Sequence, residues 1–243
     1  SDVYAEHPAD INYENPWYSR FRSRKDHCLS NTLVIHMQPA AYQDLHTSAN
    51  GVLDTSMDPR LPIYGDVAET TGTYDGVPYG VENSADITGG NSYVSFLGTA
   101  VRGQTNPTYI YTMAQVHFSM AEAALKGWIS DDANTHYLAG IKANMDQYGI
   151  ADADYQAYIT NTWVAPNGTV TWEQVMNQKW LANFLHGFEA WADWRRTGFP
   201  TLTPAEDALN FDEGGEIPVR HGFGNPTIDL NGANYEAMLA SEL

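Results

Sequence analysis

The chain has 243 residues, 43% of them hydrophobic and only one a cysteine, Cys28, so it can build one large domain or two small ones around a buried core. Thirty Asp and Glu against 12 Lys and Arg give a net charge of -18, a field that repels polyanions and excludes nucleic acid as a partner. One cysteine provides neither an internal disulfide nor a thiolate metal cluster.

No apolar run approaches the roughly 18 to 20 residues of a membrane-spanning helix, and no basic segment leading into an apolar one opens the chain. Charged residues make up 17%, below the roughly 25% of an average domain. Phe, Trp and Tyr together reach 12%. A surface poor in charge and rich in Tyr, Trp, Asn and Gly suits neutral polar ligands.

Residues 1–46 read as short helices and irregular chain, with Trp17, Tyr18 and Phe21 early, then Leu33, Val34, Ile35 and Met37 until Pro39 stops any helix. Trp17 and Tyr18 are read as packing residues. Residues 47–105 follow neither helical nor strand periodicity and hold nine of the 20 glycines, so they read as loop. Long ordered loops are usually binding or lid segments. This one is the expected ligand region: Tyr74, Tyr79, Tyr93 and Phe96 offer rings, with Asn83, Asp86 and Asn91 placed to hydrogen-bond a stacked ligand. Loop aromatics without helical spacing join no buried stripe, so their faces are expected to meet solvent, Tyr93 and Phe96 foremost.

Residues 106–200 read as a helical core. Asn106 as cap and Pro107 at the first position start a helix carrying Ile110, Met113, Ala114, His117, Ala121, Ala124 and Leu125 to Gly127. Ser130 or Asp131 caps the next, whose Ala133, Tyr137, Ile141, Met145 and Tyr148 share a face until Gly149. The two should pack antiparallel. A short helix is expected near Asp152. Thr171 and Gln174 form a capping box opening one long helix to Arg196, which should pack on the pair and bury Trp180, Phe188 and Trp191 in one stripe. Residues 201–243 read as irregular, with a helical pattern only near Asn234.

Carboxylate pairs for glycoside hydrolysis can be written down, Asp58 with Asp75 or Glu189 with Asp193. Nothing in the sequence selects either, and the second pair sits side by side on one helix face. His186, Glu189 and Asp193 share a face that could hold a metal, yet Asp193 can equally pair with Arg196 or Lys179. Arg195 and Arg196 are read as closing the helix, stacking on rings and pairing with carboxylates. No G-x-S-x-G signature is present. No cofactor is expected; the oxygen-rich stretch Ser130 to Asn134 suits calcium and a helix cap equally. A helical-repeat adaptor would spend its sequence on repeats and not on an aromatic loop.

The stretch Gln178-Lys179-Trp180-Leu181, followed by the run from Gly187 through Phe188, Trp191, Trp194, Arg195 and Arg196 to Pro200, resembles the C-terminal signature of SusD/RagB-type outer-membrane nutrient-binding lipoproteins, in particular the SusD-like group. Asn15-Pro16-Trp17-Tyr18, Asp58-Pro59-Arg60-Leu61-Pro62, Tyr74-Asp75-Gly76, Ala121-Glu122-Ala123-Ala124 and Ile217-Pro218 agree in order. One departure lies near the end, where Pro226 reaches Asn231 and Asn234 by a short route with Asp229 in place of a Glu. The resemblance implies an all-α fold of TPR-like helix pairs with long irregular loops and little sheet, forming a single region over 1–243. It implies a surface-exposed lipoprotein of the outer membrane that does no bond chemistry, captures oligosaccharide or in some members peptide, and passes it to a SusC-like TonB-dependent transporter. Members are about twice this length, so the chain reads as a C-terminal half, with the lipid anchor elsewhere and an apolar helix face left uncovered.

Overall fold

The computed structural model describes residues 1–25, 27–38, 57–79, 90–204, 217–219 and 223–242. In chain order these form β1 (Val3–Ala5), α1 (Pro16–Ser23), α2 (Asn31–Met37), α3 (Leu61–Tyr64), a 3-10 turn at Gly90–Tyr93, β2 (Thr108–Tyr111), α4 (Met113–Leu125), α5 (Ala133–Gln147), α6 (Asp152–Tyr158), α7 (Trp172–Ala182), α8 (Gly187–Thr197), α9 (Asn225–Leu230) and α10 (Gly232–Glu242). The protein is all-α; the sheet among the described residues is the antiparallel pair β1–β2. Ser1–Leu209 form one compact unit, and Asn210–Leu243, with α9 and α10, a second. None of the described helices is long and apolar enough to cross a membrane.

Helices begin where a side chain can satisfy the first free backbone donors. Asn15 accepts from the Trp17 and Tyr18 amides ahead of α1, with Pro16 at the first helical position. Thr171 and Gln174 form the capping box of α7. Asp132, one residue beyond the expected cap, accepts from the Thr135 amide and hydroxyl at the start of α5. Helices α4 and α5 pack together, and α7 contacts both, so the expected arrangement of the third helix on the pair is the observed one. Their shared core holds Phe118, Tyr137, Ile141, Met145, Val175 and Met176, all essentially inaccessible. A Cβ at Gly140 would lie 2.9 Å from the Phe118 ring, so glycine there lets α5 approach α4.

Three expectations need correction. Asn106 and Pro107 do not start a helix, because Thr108–Tyr111 pairs with Val3–Ala5 as a strand and α4 begins at Met113 behind its own capping box of Thr112 and Gln115. The β-branched and aromatic run Thr108-Tyr109-Ile110-Tyr111 favours the extended state once an edge is available. The long helix to Arg196 is broken into α7 and α8 by the segment from Asn183 to His186, in which Leu185 takes a left-handed φ of 67°. That break turns Phe188 outward; it is 85% exposed and belongs to no buried stripe. Trp180 is partly buried against α2 and α3.

The short helix α3 is held by charge. Arg60 is completely buried, with Nε 2.9 Å from Asp58 Oδ1 and Nη2 2.6 Å from Oδ2. It also donates to Asn144 of α5, Tyr158 of α6 and Gln178 of α7 at 3.0, 3.0 and 2.8 Å. Desolvation, the largest single effect, lowers the guanidinium pKa, but Asp58 together with Tyr158 and Tyr64 outweighs it and the net shift is upward. A second, more exposed cluster joins α4 to α8. Arg196 grips both oxygens of Glu122 and donates to Asp193 at 2.7 Å, while Lys179 reaches Asp193 at 3.0 Å. Arg195 stacks on Trp191 at 4.5 Å. Both arginines therefore serve structure, as read from the sequence.

Two stability outcomes follow. Asp58→Ala leaves a buried guanidinium without its countercharge and should cost about 3–5 kcal/mol, read as a lower urea midpoint. Burial pushes the Glu122 carboxyl up, but hydrogen bonds from Arg196 and Lys126 hold it below its ordinary value of 4.5. The interaction therefore stabilises the fold above that pH and fades as pH falls through the lower folded value. Arg196→Met should cost about 1 kcal/mol near neutrality, discounted for exposure, and much less in the acid range; an equal loss at both pH values would contradict the assignment.

Candidate ligand-binding site

A cavity of about 240 Å³ opens between the start of α1, the chain from Ala100 to Tyr109, the end of α5 and the break between α7 and α8. Four rings line it: Trp17, Tyr109, Tyr148 and Phe184. Its polar groups are amides, hydroxyls, an indole and one imidazole, and among the described residues that line it there is no Asp, Glu, Lys or Arg. Burial lowers the pKa of His186, against a weaker opposite effect of Glu189, so the imidazole is neutral at physiological pH.

Some of these groups build the walls. Asn15 spends its Oδ1 on the α1 amides and its Nδ2 on the Asn106 carbonyl at 2.9 Å. Asn106 in turn donates to the Ala100 carbonyl, and the Tyr109 hydroxyl approaches the Gln147 carbonyl at 3.3 Å. Other groups make no hydrogen bond among the described residues: Gln147 Nε2, the Tyr148 hydroxyl and the His186 ring, all on the lining. Phe184 lies stacked on Tyr64, centroids 4.0 Å apart and planes at 11°, and Tyr148 meets Tyr64 edge-on at 5.5 Å. The rings are thus fixed from behind by the buried α3. Leu185 sits at the rim in its left-handed conformation, a strained state that the break between the two helices imposes.

The residues singled out from the sequence lie elsewhere. Tyr79 and Tyr93 are each 41% exposed, Tyr93 and the exposed Asn91 standing on the 3-10 turn. The Tyr79 hydroxyl donates to the Thr203 carbonyl. Tyr74 and Phe96 are not open platforms: Tyr74 packs against the α2–α3 cluster, and Phe96 meets Phe21 edge-to-face at 6.3 Å. Each found an apolar cluster without helical spacing to announce it. Asn83 and Asp86 lie outside the described residues.

Of the carboxylates paired on paper, Asp58 is neutralised by Arg60. Asp75 accepts from Thr71 and from Thr73 at 2.5 and 2.8 Å. The proposed metal face loses Asp193 to Lys179 and Arg196. Among the described residues no three His, Cys, Asp or Glu side chains gather as a metal site.

The SusD-like family model, described as "Starch-binding associating with outer membrane", matches residues 1–224. The chain belongs to the SusD-like family. Solved structures agree in fold: a chitin-binding protein (24% identity, TM-score 0.72, covering 98% of this chain and 52% of that one) and a SusD homolog from Parabacteroides distasonis (20%, 0.73, 97% and 53%). A SusD homolog from Bacteroides fragilis is similar (21%, 0.69, 99% and 53%). The SusD-like chain spans about half the length of these proteins. No curated protein matches it.

The unbonded hydroxyl in the SusD-like pocket has a measurable consequence. Tyr148→Phe removes a group with no intramolecular partner and should leave stability within about 0.5 kcal/mol of the parent. Tyr137→Phe, whose hydroxyl donates to the Val164 carbonyl at 2.9 Å in the core, should cost about 1 kcal/mol or more. Thermal melts of the two variants compare them directly; an equal drop in both would place Tyr148 in a structural bond.

Proposed function

We propose that this SusD-like protein captures a neutral oligosaccharide at the surface of the outer membrane, without cleaving it, as a lipoprotein that passes it to a SusC-like TonB-dependent transporter. The observation that carries the reading is the pocket's chemistry: four aromatic rings beside unbonded amide, hydroxyl and imidazole groups, with no charged side chain among the described lining residues. The C–H faces of a pyranose pack on flat rings, while its hydroxyls need donors and acceptors. A chain of net charge -18 can hold such a ligand because the ligand carries no charge to repel. Hydrolysis of a glycoside needs two carboxyl groups facing each other across the bond, and the lining residues offer none. Family membership supports nutrient capture over an enzyme.

The exposed Tyr79, Asn91 and Tyr93 provide a second place for a glycan to lie, with the pocket as the deeper and better equipped of the two. Asn83 and Asp86 remain part of that loop proposal. A thermal-shift screen against neutral oligosaccharides should raise the melting temperature by mass action and return the sugars uncleaved. Loss of the Tyr148 hydroxyl should weaken binding by about fivefold, the equivalent of roughly 1 kcal/mol, whereas Tyr93→Ala should leave affinity unchanged. The reverse result would move the site to the loop. Stabilisation by peptides and by no sugar would replace the glycan reading with a peptide one, and release of shorter sugars would make the protein an enzyme.

A further inference from the structure

Outside the pocket, two histidines face each other across the α4–α5 contact. His117 Nδ1 lies 3.2 Å from His136 Nδ1, and the two rings lie near-parallel, at 30° with centroids 5.5 Å apart. The far nitrogen of His136, Nε2, is 3.1 Å from Asp131 Oδ2. Both rings are partly buried and Asp131 is exposed, so the pair is reachable from solvent but not fully immersed in it.

From this juxtaposition we propose that His117 and His136 form a chelating site for a divalent transition-metal ion of zinc-like preference, with Asp131 as the carboxylate behind the second ligand. Bonds of about 2.0–2.1 Å from two imidazole nitrogens to one ion, across a gap of 3.2 Å, subtend an angle of about 100°, close to tetrahedral. Binding one ion requires both rings to rotate from the present near-parallel contact until their Nδ1 lone pairs converge. A ligating histidine usually donates its other ring N–H to a carboxylate, which fixes the tautomer and raises the basicity of the ligating nitrogen. The Asp131–His136 contact is that arrangement, and it leaves His136 Nδ1 as an acceptor facing His117.

In the metal-free state the tautomer of His117 with its proton on Nδ1 fills that acceptor, and metal binding requires the other tautomer, with the proton on Nε2, so both imidazoles bind as neutral ligands and no net proton is released. Asp131 and Asp132, the latter hydrogen-bonded to Thr135 at the α5 cap, are the acidic groups on this edge. They add attraction for a dication to that of the whole chain. With two protein ligands the remaining positions stay open to water. The ion ties α4 to α5 at their solvent edge, on rigid elements that hold the donors in register.

The test uses the chelator-treated protein and zinc chloride, followed by calorimetry near pH 7.5. One saturable site is expected, lost in His117→Gln and in His136→Gln, weakened about tenfold or more in Asp131→Asn, and unchanged in His7→Gln. Absence of saturable binding, or binding that survives both histidine changes, overturns the proposal. Should either variant fail to fold by circular dichroism, imidazole nitrogen spectra of the parent decide. Zinc should shift Nδ1 of His117 and His136 together while His136 keeps its Nε2 proton, and shifts confined to other histidines would overturn the assignment.

Discussion

The guanidinium of Arg60 is the constraint on which the interior depends. A charge with no solvent contact is tolerated only when a countercharge and hydrogen bonds replace its hydration. Asp58 supplies the charge from two residues away, and α5, α6 and α7 each contribute one polar side chain. The segment from Asp58 to Tyr64 is thereby pinned into the helical layer, although it is too short to have a persistent helix of its own. Removing α5 would take the Asn144 acceptor from Nη1, and removing α6 or α7 would take one of the acceptors around Nη2, so the network couples elements that apolar packing alone would allow to slide. Its polar members also restrict the ways the surrounding side chains can pack.

That pinning reaches the candidate site through Tyr64. Its hydroxyl lies 3.2 Å from Asn144 Oδ1 and 3.1 Å from the Leu181 carbonyl, and burial raises its pKa well above the ordinary value, so it remains a neutral donor. Its ring carries the stack on Phe184 and the edge of Tyr148. Two of the four rings on the pocket wall are therefore set by a residue four positions from Arg60. A binding surface gains from such support because a ring already held in place loses little freedom when a ligand arrives.

The helical layer was legible because its signals are local. The capping box at Thr171, the proline after Asn15, and the stripe of Tyr137, Ile141 and Met145 each lie within a few residues of the feature they create. The strand Thr108–Tyr111 was not, since its apolar residues also fit helical spacing and its partner lies more than 100 residues away at Val3–Ala5. Nor was the break after α7: its adjoining glycine, Gly187, begins α8, and the left-handed position at 185 is held by a leucine. Asp58 and Arg60 stood out as part of a motif, but only the fold shows a buried ion pair.

The pocket was hidden for a related reason. Its lining runs from Asn15 to His186, and each contributor had a sufficient local explanation: Asn15 caps a helix, Tyr148 ends a helix stripe, and Phe184 sits in an apparent helix. Rings without such an explanation concentrate in the 47–105 loop, yet Tyr74 and Phe96 there are packed. The chemistry was nevertheless visible in composition, because few charges and many aromatics are what a neutral polar ligand calls for. What composition lacks is placement. The break between α7 and α8 brings Phe184, Leu185 and His186 to one wall, whereas a continuous helix would distribute them around its circumference. A local interruption that sequence rules fail to mark is thus what gathers the aromatic and polar groups into a pocket.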